Sequence, residues 1–518
     1  GLEPGLVRKI QVAAVLSVAL YGAELWWRNQ KSWADEHQKL VNRQGRTITG
    51  MFRSAPIGVV IKEAGLRPAT SLLNNRQRRY AHHILSLPQD NPTRNILPLT
   101  FRVGDAHAQP GEIKSGDWDW LEDHKVKTLG QRLANSLTDS TVVDTSYGFE
   151  HTRRVEPACF LGVVDVPSSR EAAEDKARQH HDKEGELSLW ADGSKIDSQK
   201  TGAGESRKAY LGKNKEVFDA ELYAVDQALE IVLQGGRNKG RRESLVKNKF
   251  LEELDRVHIW LDSCTAIKRI QHLEPGPGQW LACRIRRRMG NLKKYHITVH
   301  IHWVPGHAGI EGNKLADRTA KEAAKCGTRP RERFTSLAHI MRRVTERRWN
   351  ECHKWFNIEQ RKRKSESRNT YKLMNKNHTV DRIAAKARKT LAGRYYQLKS
   401  GHAFTAEFLH KIGKSISKRC SHCSHAASQT VRHLILECRN WRRDLDIMWA
   451  EIRKARSETR WRGAILRDVF ADPKATAAIL EFLNKTGIGK KHNEDEQERR
   501  ENDRRENIGI TELDESEE

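Results

Sequence analysis

Four carboxylates lie between positions 192 and 317 at places where metal-assisted chemistry is expected. Each ends a predicted strand or lies on a predicted helix of one mixed segment: Asp192, Glu221, Asp262 and Asp317. Strand ends and adjoining helices on one side of a sheet are where the sites of α/β proteins form. Clustered carboxylates cannot all stay ionised without a cation, and hard oxygen ligands favour Mg²⁺ or Mn²⁺. Two such ions, about 3.5–4 Å apart, can activate a water and stabilise the leaving oxygen of a phosphodiester.

Alternation and helical spacing predict the elements that must position these carboxylates. Strand, helix, strand, and then a further strand and helix imply a mixed α/β domain over residues 185–328. Gly193 and Ser194 predict a sharp exit from the first strand, which leaves Asp192 at the edge of that strand. The strands are predicted at 186–192, 257–261 and 297–303, and the helices at 216–232 and 313–325.

Three histidines near the last predicted strand divide into two kinds. His300 and His302 alternate with the apolar face of that strand, and we interpret both as structural. His307 follows on a loop between Pro305-Gly306 and Gly309, a setting that predicts mobility close to the last carboxylate. We therefore predict a functional role for His307 rather than that of an ordinary surface residue.

Residues 188–325 resemble ribonuclease H, in the form carried by non-LTR retrotransposon polyproteins, particularly fungal ones. The resemblance implies a five-stranded sheet with flanking helices, and endonucleolytic hydrolysis of the RNA strand of RNA–DNA hybrids with two Mg²⁺ (or Mn²⁺) ions. It also implies that Asp192, Glu221, Asp262 and Asp317 hold the metal ions and that His307 assists water activation or product release. The matching motifs are Ala191-Asp-Gly-Ser194, Glu216-Val-Phe-Asp-Ala-Glu-Leu222, Leu261-Asp-Ser263, Trp303-Val-Pro-Gly-His-Ala-Gly-Ile-Glu-Gly-Asn313 and Ala316-Asp317.

One region departs from the spacing of that family. Asp192 and Glu221 are closer in sequence than the family usually allows, and residues 205–215 are short and polar where the second strand is expected to run. A long basic insertion follows at 234–256. These departures predict a sheet that lacks most of its second strand. They leave open an alternative function, a catalytically inactive nucleic-acid-binding remnant of such an element.

A second cluster of potential metal ligands lies near the C-terminal end. Cys420, Cys423, His433 and Cys438 have the spacing C-x2-C-x9-H-x4-C, which suits tetrahedral Zn²⁺, although free thiols are the alternative. The segment resembles the C-terminal CCHC zinc knuckle of the same retrotransposons, which implies a structural zinc site. Competing ligands and nearby arginines for phosphate contacts are His422, His425, Arg419, Arg432 and Arg439.

The N-terminal segment has helical periodicity and resembles the region that follows the polymerase palm in these elements. An apolar run at 10–25 imitates a secretion signal, but polar residues interrupt it and predict an amphipathic helix. The sequence contains no Tyr-X-Asp-Asp polymerase motif, so we expect the chain not to polymerise DNA and to be the C-terminal part of a longer polyprotein. The resemblance rests on Leu20-Tyr-Gly-Ala-Glu-Leu-Trp-Trp27, Arg46-Thr-Ile-Thr-Gly50 and Glu63-Ala-Gly-Leu-Arg-Pro68.

Composition and charge place the chain among intracellular nucleic-acid-binding proteins. The 518 residues include 93 Lys and Arg against 67 Asp and Glu, and the net charge of +26 predicts a polyanionic partner. Eight cysteines are too sparse for a secreted disulfide scaffold, which favours the reducing interior of a cell. We expect the location within the cell to be nuclear. Arg284 and residues 286–288 are expected to hold the DNA strand of a hybrid. Residues 361–364 are expected to contact nucleic acid or to act as a nuclear localisation signal.

The predicted partners are therefore an RNA–DNA hybrid and the missing polymerase part of the polyprotein, without a membrane. The predicted fold class is α/β, a ribonuclease H-like mixed sheet with flanking helices, plus an N-terminal helical region and a small zinc knuckle. The predicted boundaries are a helical region at 1–88, a linker at 89–184, the ribonuclease H-like domain at 185–328, a basic helical region at 329–400, the knuckle region at 401–445, a helical region at 446–489 and a disordered charged tail at 490–518.

Overall fold

The computed structural model of the chain describes residues 1–88, 90–97, 128–138, 148–152, 160–196, 200–204, 208–234, 251–326, 334–362, 380–423, 426–456 and 466–490. These stretches fall into two compact units, one drawn from Gly1–Asn74 with Arg348–Glu518 and one from Asn75–Arg347. Most of the predicted basic insertion after position 234, half of the 361–364 run and all but the first residue of the predicted charged tail lie outside the described residues.

The first unit begins with helices, in agreement with the helical pattern of residues 1–88. Leu16, Leu20, Ala23 and Trp27 are buried along the segment that imitates a secretion signal, so that segment has a packed face. No described helix is long and apolar enough to cross a membrane. The helices are α1 (Pro4–Ile10) with a π-helical continuation (Gln11–Leu16), α2 (Ser17–Ala19), α3 (Ala23–Trp26), α4 (Lys31–Thr49), α5 (Ile57–Glu63) and α6 (Ala69–Ser86), most of whose residues belong to the second unit.

The second unit contains a mixed sheet whose strands alternate with helices. Leu222, Val225 and Leu229 are fully buried at helical spacing and hold the central helix on the sheet. In chain order its elements are α7 (Leu129–Thr138), β1 (Gly148–Phe149), β2 (Val163–Asp165), α8 (Arg170–Gln179), β3 (Glu186–Trp190), β4 (Asp192–Ile196), β5 (Lys200–Gly204), β6 (Lys208–Gly212), α9 (Val217–Leu233), β7 (Arg256–Leu261), α10 (Cys264–Gln271), α11 (Gln279–Lys293), β8 (Thr298–Trp303), α12 (Glu311–Cys326), β9 (Phe334–Thr335) and α13 (Leu337–Lys362).

Strands β3 and β4 are separated by Ala191 alone, yet they belong to two sheets. The first sheet is parallel in the order β2-β8-β7-β3, and the second is antiparallel in the order β4-β5-β6. The N–H of Ala191 donates to the carbonyl of Trp260 at 2.9 Å, so pairing with β7 continues to the interruption. With β3 and β4 taken as one interrupted strand, these two sheets contain the five strands that the resemblance implies, plus β2 at the edge; β1 and β9 pair separately. The predicted α/β class is confirmed.

The predicted loss of the second strand is wrong. Residues 200–204 pair with β4 as β5, and residues 208–212 pair with β5 as β6. The pairing of β5 with β6 is irregular between Thr201 and Gly202. A connection of three residues joins the two strands, so the missing length comes from the hairpin rather than from the sheet.

The last 25 residues of the predicted linker at 89–184, which was expected to have some local structure, contain a strand and a helix. β2 (Val163–Asp165) pairs in parallel with His300–His302 of β8 and forms the edge of the sheet. Ser169 caps α8 by accepting a hydrogen bond from the N–H of Ala172, and Ala173 and Ala177 are buried. The strand is only three residues long, too short for an alternation pattern to reveal it.

A charged network connects the start of α9 to residues beyond the last helix of the sheet. Glu216 and Asp219 form a capping box at the N-terminus of α9. Glu216 accepts hydrogen bonds from Lys195 at 2.9 Å, His339 at 2.8 Å and Arg342 at 2.6 Å. Burial alone would raise the pKa of Glu216, but hydrogen bonds from His339, Lys195 and Arg342 lower it to about 2.

Two further buried carboxylates, Asp219 and Glu150, accept hydrogen bonds from residues of the same region. Asp219 accepts a hydrogen bond from the Ser336 hydroxyl at 2.6 Å. Glu150 accepts from the N–H groups of Gly278 at 2.7 Å and Leu337 at 2.8 Å. Burial, followed by the charge of Asp219, raises the pKa of Glu150 to about 8. Residues 150 and 336–342 therefore complete the packing of α9 from outside the predicted domain.

The C-terminal part of the first unit contains helices within 329–400 and 446–489, the regions predicted to be helical. Between these helices the chain forms the Cys/His segment described below. The helices are α14 (Arg382–Lys386), α15 (Lys389–Ser400), α16 (Ala406–Lys411), α17 (Arg442–Arg456), α18 (Leu466–Ala471) and α19 (Thr476–Thr486).

Candidate active site

Asp192 is the first residue of β4, not the last residue of a strand. The predicted sharp exit at Gly193 and Ser194 is wrong, because both residues continue in β4. A Cβ atom at Gly193 would lie 2.5 Å from the backbone nitrogen of Glu221 and 2.8 Å from the carbonyl carbon of Ala220. The missing side chain therefore lets α9 approach β4 closely and brings Glu221 beside Asp192.

Asp262 follows β7 directly, and the loop after β8 lies against it. The indole N–H of Trp303 donates to the backbone carbonyl of Asp262 at 3.0 Å. A Cβ atom at Gly306 would lie 2.8 Å from Asp262 Oδ2. Gly306 is thus the second position where the absence of a side chain brings a chain segment to a carboxylate.

Three of the four predicted carboxylates converge. One oxygen from each of Asp192, Glu221 and Asp262 lies within 4.8 Å of the others. These residues line a cleft of about 720 Å³ together with Asp317 and His307. Asp317 lies on α12, as predicted, but outside the group of three, and its Oδ2 is 2.6 Å from Lys321 Nζ.

Burial and mutual repulsion raise the pKa values of this group. Burial, and then the charges of Asp262 and Asp317, raise the pKa of Asp192 to about 7. Burial, and then Asp192 and Asp262, hold the pKa of Glu221 well above its usual range. Burial raises the pKa of Asp262, and the charge of Asp317 raises it further, whereas His307 lowers it. The site therefore strongly favours either protons or a bound cation at neutral pH.

The unsatisfied atoms of the cluster fit a divalent cation. Glu221 Oε2 is buried, and no donor among the described residues lies within hydrogen-bond distance of it. Asp192 Oδ1 accepts a hydrogen bond from its neighbour, the N–H of Gly193, at 2.7 Å. An all-oxygen donor set with an unsatisfied, converging carboxylate matches the ligand preference of Mg²⁺ and Mn²⁺.

Replacing Asp192 by Asn is expected to stabilise the metal-free protein more at pH 8 than at pH 5. The pKa of Asp192 is raised from 3.8 to about 7 in the folded protein. The folded state therefore keeps a proton that the unfolded chain loses, and the unfolding free energy falls as pH rises through this window. At about 1.36 kcal/mol per pKa unit, Asp192→Asn is expected to raise the unfolding free energy above that of the parent by a few kcal/mol at most.

The measurement is the thermal transition of parent and Asp192→Asn in EDTA at pH 5 and pH 8. An equal gain at both pH values, or a loss at pH 8, would contradict the raised pKa. Added Mg²⁺ is expected to stabilise the parent and to have little effect on the variant, because ligand binding stabilises only a folded state that binds it.

His307 is exposed on the loop between β8 and α12, close to Asp262. Its backbone has a φ of 59°, in the left-handed region. The carbonyls of Gly306 and Ala308 on either side accept hydrogen bonds from Arg170 at 3.3 Å and Arg178 at 2.8 Å. The loop predicted to be mobile thus has two side-chain anchors on α8, and sequence reasoning missed both because it assigned α8 to the linker.

Most of the arginines that were expected to hold DNA have partners within the fold. Arg284 and Arg288 each approach a carboxylate oxygen of Asp226 at 2.7 Å. The Nε of Arg286 donates to the carbonyl of Ile270 at 2.8 Å. These three side chains hold α11 to α9 and α10, whereas Arg287 is exposed to solvent.

The predicted zinc ligands also converge, in the other unit. One ligand atom from each of Cys420, Cys423, His433 and Cys438 lies within 4.8 Å of the others. Cys423 Sγ is 3.5 Å from His433 Nε2. Burial, with the neighbouring Cys420 and Cys423, raises the pKa of the Cys438 thiol to about 11, whereas, despite burial, hydrogen bonds from backbone N–H groups lower the pKa of Cys420. A bound cation would favour the ionised form of Cys438.

Of the two competing ligands, His422 is not part of this group. The ring of His422 packs at 5.7 Å from the ring of Trp441, in an edge-on geometry. His425 lies outside the described residues. The four donors have the composition and burial of a structural zinc site.

The interrupted five-stranded order and the carboxylate cleft beneath α9 and α12 define a ribonuclease H-like domain. A family model described as RNase H matches residues 185–325. The ribonuclease H of Sulfurovum sp. (strain NBC37-1) is 28% identical over 151 residues, which cover 27% of this chain and 91% of that protein. Residues 185–325 are therefore a ribonuclease H domain, and the predicted enzyme class is confirmed.

Proposed function

We propose that this domain hydrolyses the RNA strand of RNA–DNA hybrids endonucleolytically, with two Mg²⁺ or Mn²⁺ ions, and leaves 3′-hydroxyl and 5′-phosphate ends. The observation that carries the proposal is the convergence of Asp192, Glu221 and Asp262 within 4.8 Å around an unsatisfied Glu221 oxygen. The family match and the named relative support the substrate class. Bound divalent ions supply charge neutralisation and an acidified water for phosphodiester hydrolysis.

The chain's own residues have separable tasks in this proposal. Asp192, Glu221 and Asp262 hold the ions as fixed, buried oxygen ligands. Asp317 contributes a fourth carboxylate from α12, once Lys321 is displaced as its partner. His307 moves a proton at its imidazole ring near Asp262, and the anchored loop limits where that ring can lie.

The test uses a hybrid labelled on its RNA strand, with Mg²⁺ in one reaction and EDTA in another. Cutting of RNA only in the hybrid and only with Mg²⁺ is the expected result. Binding of the hybrid without any cutting would instead support the inactive binding remnant. The structural basis for that alternative is weak, because β5 and β6 are both present.

His307→Asn is expected to lower the cleavage rate by roughly 10²-fold, the lower end of what a general acid–base group contributes. Asn tolerates the left-handed backbone at this position, so the substitution removes the imidazole without straining the loop. The measurement is the single-turnover rate on saturating hybrid.

His296→Asn is the matched control for His307→Asn. His296 also has a left-handed backbone, with a φ of 63°, and it is exposed at the opposite end of β8. We expect parental rates for this control. A His307→Asn rate equal to that of the control would remove His307 from the mechanism.

We propose a structural zinc ion at Cys420, Cys423, His433 and Cys438. The support is the ligand composition, the convergence within 4.8 Å and the resemblance of the segment to a CCHC knuckle. Such an ion would fix the segment that precedes α17, and exposed arginines beside it would contact nucleic-acid phosphates.

Cys438→Ser is expected to remove one equivalent of bound zinc and to lower the stability of the protein. Cys438 is 1% exposed, so the hydroxyl of serine cannot recruit solvent to compensate for the lost thiolate. Elemental analysis of the purified protein provides the measurement. Cys283→Ser on α11 is the control, and equal zinc content in the two variants would disprove this site.

We further propose that the chain forms part of a non-LTR retrotransposon polyprotein that acts in the nucleus, with the polymerase segment as its partner. The support is the set of motifs at 20–27, 46–50 and 63–68 together with the net charge of +26. Sequencing of the encoding locus tests this. An in-frame polymerase palm with a Tyr-X-Asp-Asp motif upstream is expected, and its absence from an intact locus would contradict the proposal.

A further inference from the structure

A group of histidines lies on the face of the parallel sheet opposite its apolar core. His258 of β7 pairs in register with His300 of β8, and His302 lies two residues farther along β8. One ring nitrogen from each of the three lies within 4.8 Å of the others. His258 and His302 are buried, at 7% and 5% exposure, and His300 is half-buried. These three histidines have no role in the chemistry proposed for the carboxylate cleft.

The hydrogen bonds fix which nitrogens carry protons. His302 Nδ1 lies 3.0 Å from Asp165 Oδ2 and must donate, because a carboxylate only accepts. His302 Nε2 therefore carries a lone pair, and it lies 2.9 Å from His258 Nδ1, which donates to it. This leaves His258 Nε2 unprotonated, buried and without a hydrogen-bond partner among the described residues.

The unprotonated His258 Nε2 faces a carboxylate, which is an unfavourable arrangement of two acceptors. Glu186 Oε2 is 3.8 Å away. If an ion replaces the proton on His258 Nδ1, the proton moves to Nε2, where Glu186 can accept it. The imidazole keeps one proton throughout, so the exchange of tautomers balances without acid or base.

We propose that His258 Nδ1, His302 Nε2 and a ring nitrogen of His300 bind a divalent transition-metal ion, with zinc as the best fit. Two of these ligands have a carboxylate behind them, Asp165 and Glu186, which is the arrangement that orients metal-bound histidines in proteins. Imidazole ligands select zinc, copper, nickel or cobalt over Mg²⁺. The half-buried side of His300 leaves the fourth position to solvent.

The surrounding charges and rings are compatible with a bound ion. Lys176 pairs with Asp165, and Arg256 pairs with Glu186 at 3.0 Å, so both carboxylates are already oriented. Burial, and then the neighbouring His180, His302 and His300, lower the pKa of His258 to about 4, which keeps the ring neutral and able to ligate at neutral pH.

Occupancy would connect three strands and a helix. The ion joins β7 to β8, Asp165 extends the connection to β2, and Lys176 extends it to α8. α8 in turn anchors the loop that carries His307 through Arg170 and Arg178. The site is thus a structural clip behind the sheet, separate from the carboxylate cleft.

The test counts zinc bound by the full chain after equilibrium dialysis against micromolar Zn²⁺ in excess Mg²⁺, which occupies the carboxylate cleft. The parent is expected to bind one more zinc per chain than His300→Ala, while the cysteine set contributes equally to both. His296→Asn is the control for loss of a nearby histidine and is expected to match the parent. Equal zinc in His300→Ala and the parent would overturn the proposal.

A second variant decides the outcome if His300→Ala fails to fold. Asp165→Asn keeps an acceptor for His302 but removes the carboxylate charge, which is expected to weaken zinc binding by about 10- to 100-fold. The readout is the free-zinc concentration at half-occupancy of the additional site. An unchanged concentration, or no additional site in the parent, overturns the proposal.

Discussion

Asp262→Asn is expected to reduce cleavage of an RNA–DNA hybrid by roughly 10³-fold or more while leaving hybrid binding intact. Removing a single electrostatic contact to a transition state costs about 10²–10³-fold, and a metal ligand supports several such contacts. Asp262 shares the cleft with Asp192 and Glu221, with oxygens within 4.8 Å. The amide is isosteric, so the loop at Gly306 keeps its place while the negative charge that holds a cation is lost.

The experiment measures single-turnover cleavage and, separately, hybrid binding in Ca²⁺. Asp255→Asn is a matched control, because Asp255 is an exposed aspartate immediately before the opposite end of β7. We expect parental cleavage from the control. Substantial Mg²⁺-dependent cleavage by Asp262→Asn would remove this carboxylate from the proposed metal set, whereas loss of binding would indicate a structural role.

Gly193→Ala is expected to cost about 1–3 kcal/mol of unfolding free energy and to lower the cleavage rate about 10²-fold. The added methyl group would lie 2.5 Å from the backbone nitrogen of Glu221 and 2.8 Å from the carbonyl carbon of Ala220. Backbone atoms of a packed helix cannot turn aside as a flexible side chain can. α9 must therefore shift, and Glu221 moves away from Asp192 with it.

Gly290→Ala separates this effect from a general response to adding a methyl group. Gly290 lies within α11, and a Cβ atom there meets only Leu161 Cδ1 at 3.8 Å, an ordinary contact. This control is expected to be active and more stable by about 0.5–1 kcal/mol, as for Gly to Ala in a helix. Parental stability and activity in Gly193→Ala would show that α9 does not depend on the close approach.

Motif order and alternation are local properties of the chain, so the candidate site residues could be proposed from the sequence. Glu221 lies on the helix predicted for it and Asp262 directly follows its predicted strand, whereas Asp192 begins β4 instead of ending the strand before it. Features that depend on non-local packing were not predictable. Glycine occurs both in turns and where two chain segments approach closely. Gly193 was therefore interpreted as a turn, although its role in the structure is to allow contact with α9.

Short elements were the other source of error. β2 has three residues and gains its stability from pairing with β8 rather than from its own pattern. β5 and β6 were missed because the residues between the carboxylates are few and polar, whereas backbone pairing in a hairpin requires little apolar surface. The histidines of β8 were interpreted as structural from their alternation. His302 is hydrogen-bonded to Asp165, a contact that no periodicity indicates.

The hydrogen bonds of the buried carboxylates Glu150 and Asp219 affect whether this domain can be separated from the rest of the chain. Their hydrogen-bond donors include Ser336 and Leu337, and Glu216 depends on His339 and Arg342, all beyond position 325 where the family match ends. A piece excised at 185–325 would keep every catalytic carboxylate but leave Asp219 without its hydroxyl partner in the interior. Exchange of this domain between chains, in the laboratory or by recombination, therefore has natural junctions outside 150 and 342 rather than at the ends of the recognisable motif.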